Sequence, residues 1–223
     1  METTIENKNS LNVRKESLNS SKIIITEVKN NLLYNTLSRV LDIMFSLIGL
    51  IITFPIIAIV SVLIKLEDKG PIFYKQERLG IGGKTFLVYK LRSMSMDAEK
   101  NGMQWANKND PRVTKIGGFI RKTRIDELPQ LINILNGDMK FIGPRPERPE
   151  LTLQFDKEIP GFINRLTVKP GLTGWAQVNG GYDITPKEKL KLDIYYIKNR
   201  SIKLDAKIIL KTIRVVITGE GAR

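Results

Sequence analysis

The chain contains no cysteine and no histidine. Without cysteine there is no disulfide, no thiolate nucleophile and no Cys-ligated zinc. Without histidine there is no Ser-His-Asp relay, no imidazole base and no imidazole metal ligand. Chemistry therefore falls to carboxylates, hydroxyls, amines or a hard, oxygen-bound metal such as Mg²⁺. Acidic side chains are outnumbered: 36 Lys and Arg stand against 23 Asp and Glu, a net charge of +13. That surplus points to anionic partners, whether nucleic acid, phosphorylated small molecules or an acidic membrane surface. A nucleic-acid-binding protein would need a recognition motif or an aromatic-basic repeat, and neither is present. At 223 residues the chain can build one domain with a real core plus extra elements.

One long hydrophobic run does occur. Ile43 to Ile64 passes 22 residues without a charge, roughly 33 Å as a helix, enough to span a bilayer core. Pro55 in its middle removes a backbone donor and predicts a break. Lys22, Lys29 and Arg39 precede the run, and Lys65, Lys69, Lys75 and Arg78 follow it. Basic flanks on both sides favour a helix–break–helix hairpin that enters and leaves by one face. Thr53 is placed to supply a hydroxyl near the break. Residues 1–31, rich in Asn, Ser, Lys and Glu, read as a disordered extension. They show no secretory signal, so the cytoplasmic side is expected.

The densest chemistry lies in Arg121–Glu147, RKTRIDELPQLINILNGDMKFIGPRPE. Leu128, Leu131, Ile132 and Leu135 predict one apolar helical face. Pro129 suits a first turn and Asn136-Gly137 a stop. Asp126 and Glu127 then sit at or just before the helix start, where negative charge or a phosphate is favoured. Arg121 precedes them and Arg145 follows in a proline-limited loop. Acids at a helix start commonly do no more than cap it, but these lie among cations and suit phosphate chemistry.

Upstream, Ile72–Lys75 and Phe86–Lys90 predict two short strands joined through Gly80–Gly83. Lys90 and Arg92 are candidate anion contacts, with solvated surface cations as the alternative. Residues 95–112 read as a flexible polar loop carrying Trp105. Downstream, Leu151–Phe162 predicts a scaffolding helix. Lys169–Gly181 predicts a shaped loop in which Trp175, Gln177 and Asn179 could stack on and hydrogen-bond a ligand. Thr185-Pro186-Lys187-Glu188 predicts a capping box. Ile209, Leu210, Ile213, Val216 and Ile217 share one helical face opposite Lys207, Lys211 and Arg214. That face could lie in an anionic membrane interface or pack on the domain.

Together, YKLRSM (89–94), DELPQLINILNGDMKFIGPRPE (126–147), PGLTGWAQVNG (170–180) and, more weakly, DIYYIKN (193–199) resemble the bacterial sugar transferase family, the small monotopic phosphoglycosyl transferases. The resemblance covers about residues 37–218. It implies transfer of a sugar 1-phosphate from a UDP-sugar to polyprenol phosphate, with release of UMP at the cytoplasmic face of the bacterial inner membrane. It also implies an Asp nucleophile at Asp126, Glu127 as base or metal ligand, and Mg²⁺ held at Asp126 and Glu127. The phosphate-binding arginines match Arg121 and Arg145, and a reentrant helix matches Ile43–Ile64. Phe54 stands where the family often has serine before the breaking proline. The expected fold is α+β, mostly α: a membrane-inserted segment at 32–67, a cytosolic catalytic domain at 68–223, and interfacial amphipathic helices. Anionic phospholipid is an expected partner, nucleic acid is not, and a homodimer is left open. The competing reading is a membrane-tethered scaffold, against which the intact Asp126, Glu127 and Arg145 speak.

Overall fold

Asn31 opens a long helix by accepting the Tyr34 amide at 3.0 Å, which satisfies a donor that a helix start leaves free. In a computed structural model, which describes residues 31–100, 102, 110–180 and 184–218, this helix (α1, Leu32–Glu67) runs 36 residues. The extension expected before it, Trp105 and Gly181 lie outside the described residues. The backbone stays helical across Pro55 rather than breaking there. Thr53 does use its hydroxyl, donating to the Gly49 carbonyl at 2.7 Å. The helix is long and apolar enough to cross a membrane. One line along it is nevertheless buried: Tyr34, Ser38, Asp42 and Ser46 at four-residue spacing, then Val60 and Ile64.

Strands β1 (Phe73–Leu79) and β2 (Thr85–Leu91) form the expected antiparallel hairpin, longer than the sequence suggested, with Phe73 opposite Leu91 and Leu79 opposite Thr85. Helix α2 (Lys115–Lys122) is capped twice. Thr114 accepts the Gly117 amide at 2.9 Å, and Glu67 at the end of α1 accepts the Lys115 and Ile116 amides at 2.7 and 3.0 Å. The next elements are α3 (Gln130–Asn136), β3 (Lys140–Ile142) and α4 (Pro149–Glu158). Then come β4 (Gly171–Thr173), α5 (Trp175–Gly180), α6 (Pro186–Asn199) and α7 (Ile202–Thr218). The Thr185–Glu188 capping box opens α6 as expected.

Helix α3 is the keystone of the packing. Leu131 and Ile134 join Val88 and Met139 in a buried cluster, with Leu50 of α1 packed against it. Gly49 lets α1 approach, since a Cβ there would lie 3.0 Å from Leu131. From α1, Arg39 donates to the Ile134 and Leu135 carbonyls at 2.6 and 2.7 Å, capping the end of α3. Asn133 presses the other side of α3 onto β2, accepting the Tyr89 amide at 3.0 Å and donating to the Leu87 carbonyl at 2.7 Å. Its carboxamide occupies the place of a third strand. The inward face thus includes two polar residues, Gln130 and Asn133, while Ile132, expected inside, is exposed. Counting apolar positions alone misses a face that packs through hydrogen bonds.

The 170–180 stretch is a strand and a helix rather than the shaped loop expected. β4 pairs in parallel with β3, Lys140 beside Gly171 and Ile142 beside Thr173. A Cβ on Gly171 would fall 2.0 Å from the Gly143 nitrogen, and one on Gly174 2.1 Å from the Gly143 oxygen. These glycines serve close backbone approach, which sequence cannot distinguish from a turn. On α7, Ile208 is buried, whereas Ile209, Leu210, Ile213, Val216 and Ile217 remain exposed. The domain does not cover that apolar face.

Asn133→Ala would strand one buried N–H and one C=O of β2. It should lower stability by about 2–4 kcal/mol in denaturant titration, while Asn136→Ala, on the exposed side, should change it by less than about 0.5 kcal/mol. Equal effects would contradict the role given to Asn133.

Candidate active site

The acidic pair sits at a bend. Arg124 adopts φ 59°, the only positive φ outside glycine among the described residues. It turns the chain from α2 into a single 3₁₀ turn, Ile125–Glu127. Pro129 then stands at the N-cap of α3, one step earlier than the first-turn position expected, and Gly137 at φ 90° stops that helix as expected. A left-handed arginine is a strained conformation, and such strain is often held at functional sites.

The two acids of that turn live in different surroundings. Lys90 Nζ, from β2, lies 2.9 Å from Glu127 Oε1. Arg145 Nη2 bonds the same oxygen, and its Nη1 reaches Oε2 at 3.5 Å. Burial alone would raise the Glu127 carboxyl, but Arg145 and Lys90 outweigh it and hold it far below the usual range. Glu127 in turn keeps the Arg145 guanidinium firmly charged. Asp126 is buried and accepts no hydrogen bond among the described residues. Burial pushes its carboxyl up to about 6 against the pull of Lys90; the Glu127 charge adds to the rise, and Arg145 and Arg121 oppose it. One acid is a fixed anion between cations, and its neighbour is a costly, uncommitted carboxylate.

The Arg145 loop is fastened on every side. Gly171 donates to the Pro144 carbonyl at 3.0 Å, Arg165 to that of Arg145 at 2.8 Å, Arg78 to that of Pro146 at 3.2 Å, and Leu79 to that of Glu147 at 3.0 Å. Arg165 is itself buried and paired through Nε with Asp193 Oδ2 at 2.6 Å. Glu147 binds Lys189 and faces Arg78 at 3.7 Å. Sequence reasoning read Arg78 only as a basic flank of the hydrophobic run and passed over Arg165 and Lys189. The one available signal was Asp193, at the head of the weak DIYYIKN match.

A family model described as bacterial sugar transferase matches residues 33–219. The chain belongs to the bacterial sugar transferase family. A UDP-N-acetylgalactosamine-undecaprenyl-phosphate N-acetylgalactosaminephosphotransferase from Aeromonas hydrophila is 47% identical over 86% of this chain and 46% of its own length. A Bacillus subtilis protein, provisionally assigned as an undecaprenyl-phosphate N-acetylgalactosaminyl 1-phosphate transferase, is 64% identical over 60% of this chain and 74% of its own length. A UDP-glucose:undecaprenyl-phosphate glucose-1-phosphate transferase from Escherichia coli is 38% identical over 79% of this chain and 39% of its own length. The chain thus spans under half the length of the Aeromonas and Escherichia relatives.

In this chain the expected site residues separate into two groups. Asp126, Glu127, Lys90 and Arg145 come together, and Arg121 lies near enough to act on the Asp126 charge. Arg92 is buried against Asp68, donating to its carbonyl at 2.6 Å, and so ties β2 to the end of α1. Trp175 stacks on Tyr195 at 5.6 Å, with Lys207 and Lys211 over its ring at 5.3 and 5.1 Å. Gln177 donates to the Leu172 carbonyl at 3.2 Å, and Asn179 to that of Trp175 at 2.7 Å. Among the described residues, no hydrogen bond or ion pair links these last four to Glu127. For a divalent metal, no group of three acids gathers among the described residues. Both Glu127 oxygens are already engaged, so the protein oxygens on offer are those of Asp126. A hard cation there would offset the buried charge, and carboxylate oxygen is the donor chemistry that suits Mg²⁺.

The raised Asp126 predicts a pH-dependent stability effect. Its folded-state value of about 6 exceeds the ordinary 3.8, so the charged form burdens the fold. That burden is absent at low pH, grows as pH rises from 3.8 and is complete above about 6. Asp126→Asn should therefore melt above wild type at pH 8, by about 1–3 kcal/mol, and lose that lead towards pH 4. A lead independent of pH, or a lower melting point at pH 8, would contradict the assignment.

Proposed function

We propose that this chain transfers a sugar 1-phosphate from a UDP-sugar to undecaprenyl or a similar polyprenol phosphate through a phosphosugar ester of Asp126. The observation that carries the reading is the asymmetry of the acids: Glu127 is saturated by Lys90 and Arg145, while buried Asp126 has no bond among the described residues. The names of the relatives supply the substrate classes.

In the first step an Asp126 oxygen forms a bond to the phosphorus that bears the sugar. The bond from that phosphorus to the bridging oxygen breaks, and UMP leaves with the electron pair. In the second, a phosphate oxygen of the polyprenol phosphate bonds to the same phosphorus and the Asp126 carboxylate leaves, giving a polyprenyl diphosphate sugar. A phosphate monoester has its second pKa near about 6, so at neutral pH the acceptor needs little help in losing its proton. Glu127, held so far down, is a poor base; its part is to hold Lys90 and Arg145 where the diphosphate oxygens arrive. Arg145 and Arg121 are the clamps for those oxygens. Mg²⁺, when bound beside Asp126, would neutralise developing charge on the leaving phosphate.

The membrane arrangement belongs to the same proposal. One folded domain holds both ends of α1: Tyr34 donates to Asp205 of α7 at 2.9 Å, and Glu67 caps α2. A helix crossing to the far side would carry one end out of reach of that domain. We therefore place both ends on the cytoplasmic face, with the uncovered apolar sides of α1 and α7 against lipid and their lysines at anionic headgroups.

Purified protein with Mg²⁺, undecaprenyl phosphate and a panel of UDP-sugars should release UMP with at least one sugar, and Asp126→Asn should not. No release with any sugar from well-folded protein would refute the reaction. For the topology, Thr36→Cys and Lys69→Cys place single thiols on an otherwise cysteine-free chain. Both should react with an impermeant reagent only from the cytoplasmic side; labelling from opposite sides would refute the shared face.

A further inference from the structure

The β1–β2 hairpin brings a second set of polar side chains beside the acidic pair. Tyr74 stands directly opposite Lys90 across the ladder, and residues so paired project from one face with Cβ atoms about 5 Å apart. Lys90 is the cation that bears most on Asp126, and it bonds Glu127 at 2.9 Å. Gln76 and Arg78 follow Tyr74 at two-residue spacing, so all three share that face. They form a bonded row. Gln76 Nε2 donates to the Tyr74 hydroxyl at 3.0 Å, and Arg78 donates to Gln76 Oε1. At one end Arg78 also donates to the Pro146 carbonyl, one residue from Arg145. At the other end Tyr74 faces Glu99, which is paired with Arg148. The row thus runs from beside Lys90 to beside Arg145, the two cations that hold Glu127. Tyr74 and Gln76 are half-buried rather than enclosed, and the Glu99 side chain is 45% exposed, so the row is open to a ligand.

We propose that Tyr74, Gln76 and Glu99 form the subsite for the sugar ring of the donor and set which UDP-sugar is used. The inference rests on the reaction proposed above. There the sugar is bonded to the phosphorus that Asp126 attacks, so it lies close to the groups that surround Asp126. The uridine hangs from the other phosphate, one group further away. A sugar hydroxyl both donates and accepts a hydrogen bond. An amide N–H, a phenol and a carboxylate side by side offer it both. Burial and the Glu99 charge raise the Tyr74 phenol above its ordinary range, so it keeps its proton at neutral pH. Side chains already bonded to one another lose little freedom when a ligand arrives. A site built to bond a hydroxyl discriminates strongly against a sugar that does not present one there.

Tyr74→Phe removes only a hydroxyl, and Glu99→Gln removes only a charge. Wild type and both variants are assayed for UMP release with UDP-N-acetylgalactosamine, UDP-N-acetylglucosamine, UDP-galactose and UDP-glucose. Inhibition by added UMP and melting temperature are measured beside them. For the sugar that wild type uses best, kcat/KM should fall about 10- to 100-fold in each variant. For the sugars it uses poorly the fall should be less than about threefold, so the preference narrows. The UMP inhibition constant should stay within about threefold, because UMP carries the uridine but not the transferred sugar. An equal fall with every sugar, or one that tracks the melting temperature, would make the row a brace for the Arg145 loop. Weaker inhibition by UMP would make it the nucleoside subsite. Either result, or an unchanged preference, overturns the proposal. A wild type that releases no UMP with any sugar refutes the reaction and this inference together; an active wild type with unaltered preference in both variants refutes this inference alone.

Discussion

A single carboxylate binds together two parts of the chain that lie far apart in sequence. Glu127 takes Lys90 from β2 and Arg145 from the loop after β3. Without that anion the two cations would repel each other across a partly buried site. With it, they form a preset positive cradle beside Asp126. The same anion raises the proton affinity of Asp126, on top of burial. Glu127 thus acts on both sides of the cluster, holding the two cations in place and raising the proton affinity of its neighbour.

Much of the remaining architecture keeps that cradle in register. Asn133 fixes α3 to β2, and so fixes Glu127 relative to Lys90. Gly143, Gly171 and Gly174 let β3 and β4 meet so closely that the Arg145 loop leaves them in one direction. The buried Arg165–Asp193 pair then holds the Arg145 carbonyl from below. Arg39 and Glu67, near opposite ends of α1, cap α3 and α2, so the long apolar helix is also a structural member of the domain.

The sequence disclosed some of this directly. The β1–β2 hairpin, the Gly137 stop and the Thr185 box follow from local rules, and the structure has all three. Asp126, Glu127, Lys90 and Arg145 were legible as charge clustering, and they do meet. What stayed hidden depends on long-range pairing. Glycines at 171 and 174 signal a turn as readily as a tight strand contact. Gln130 and Asn133 are polar, so a count of apolar periodicity discards the face that carries them. Trp175 and Asn179, chosen as ligand contacts because they are an aromatic and an amide in a glycine-rich stretch, are engaged by Lys207 and Lys211 of α7. Arg92 resembled Lys90 two residues away, yet its partner is Asp68. Nothing local distinguishes the cation that pairs with Glu127 from the one that ties a strand to a helix end.

The most direct test of the central claim is the mass of the protein itself after incubation with Mg²⁺ and its UDP-sugar in the absence of any polyprenol phosphate, followed by a rapid acid quench. The account predicts a gain equal to one sugar-phosphoryl group, located on the peptide that holds Asp126 and lost again when polyprenol phosphate is added before the quench. An unmodified protein that forms UMP only when the acceptor is present would contradict it, and would mean that the acceptor attacks the UDP-sugar directly.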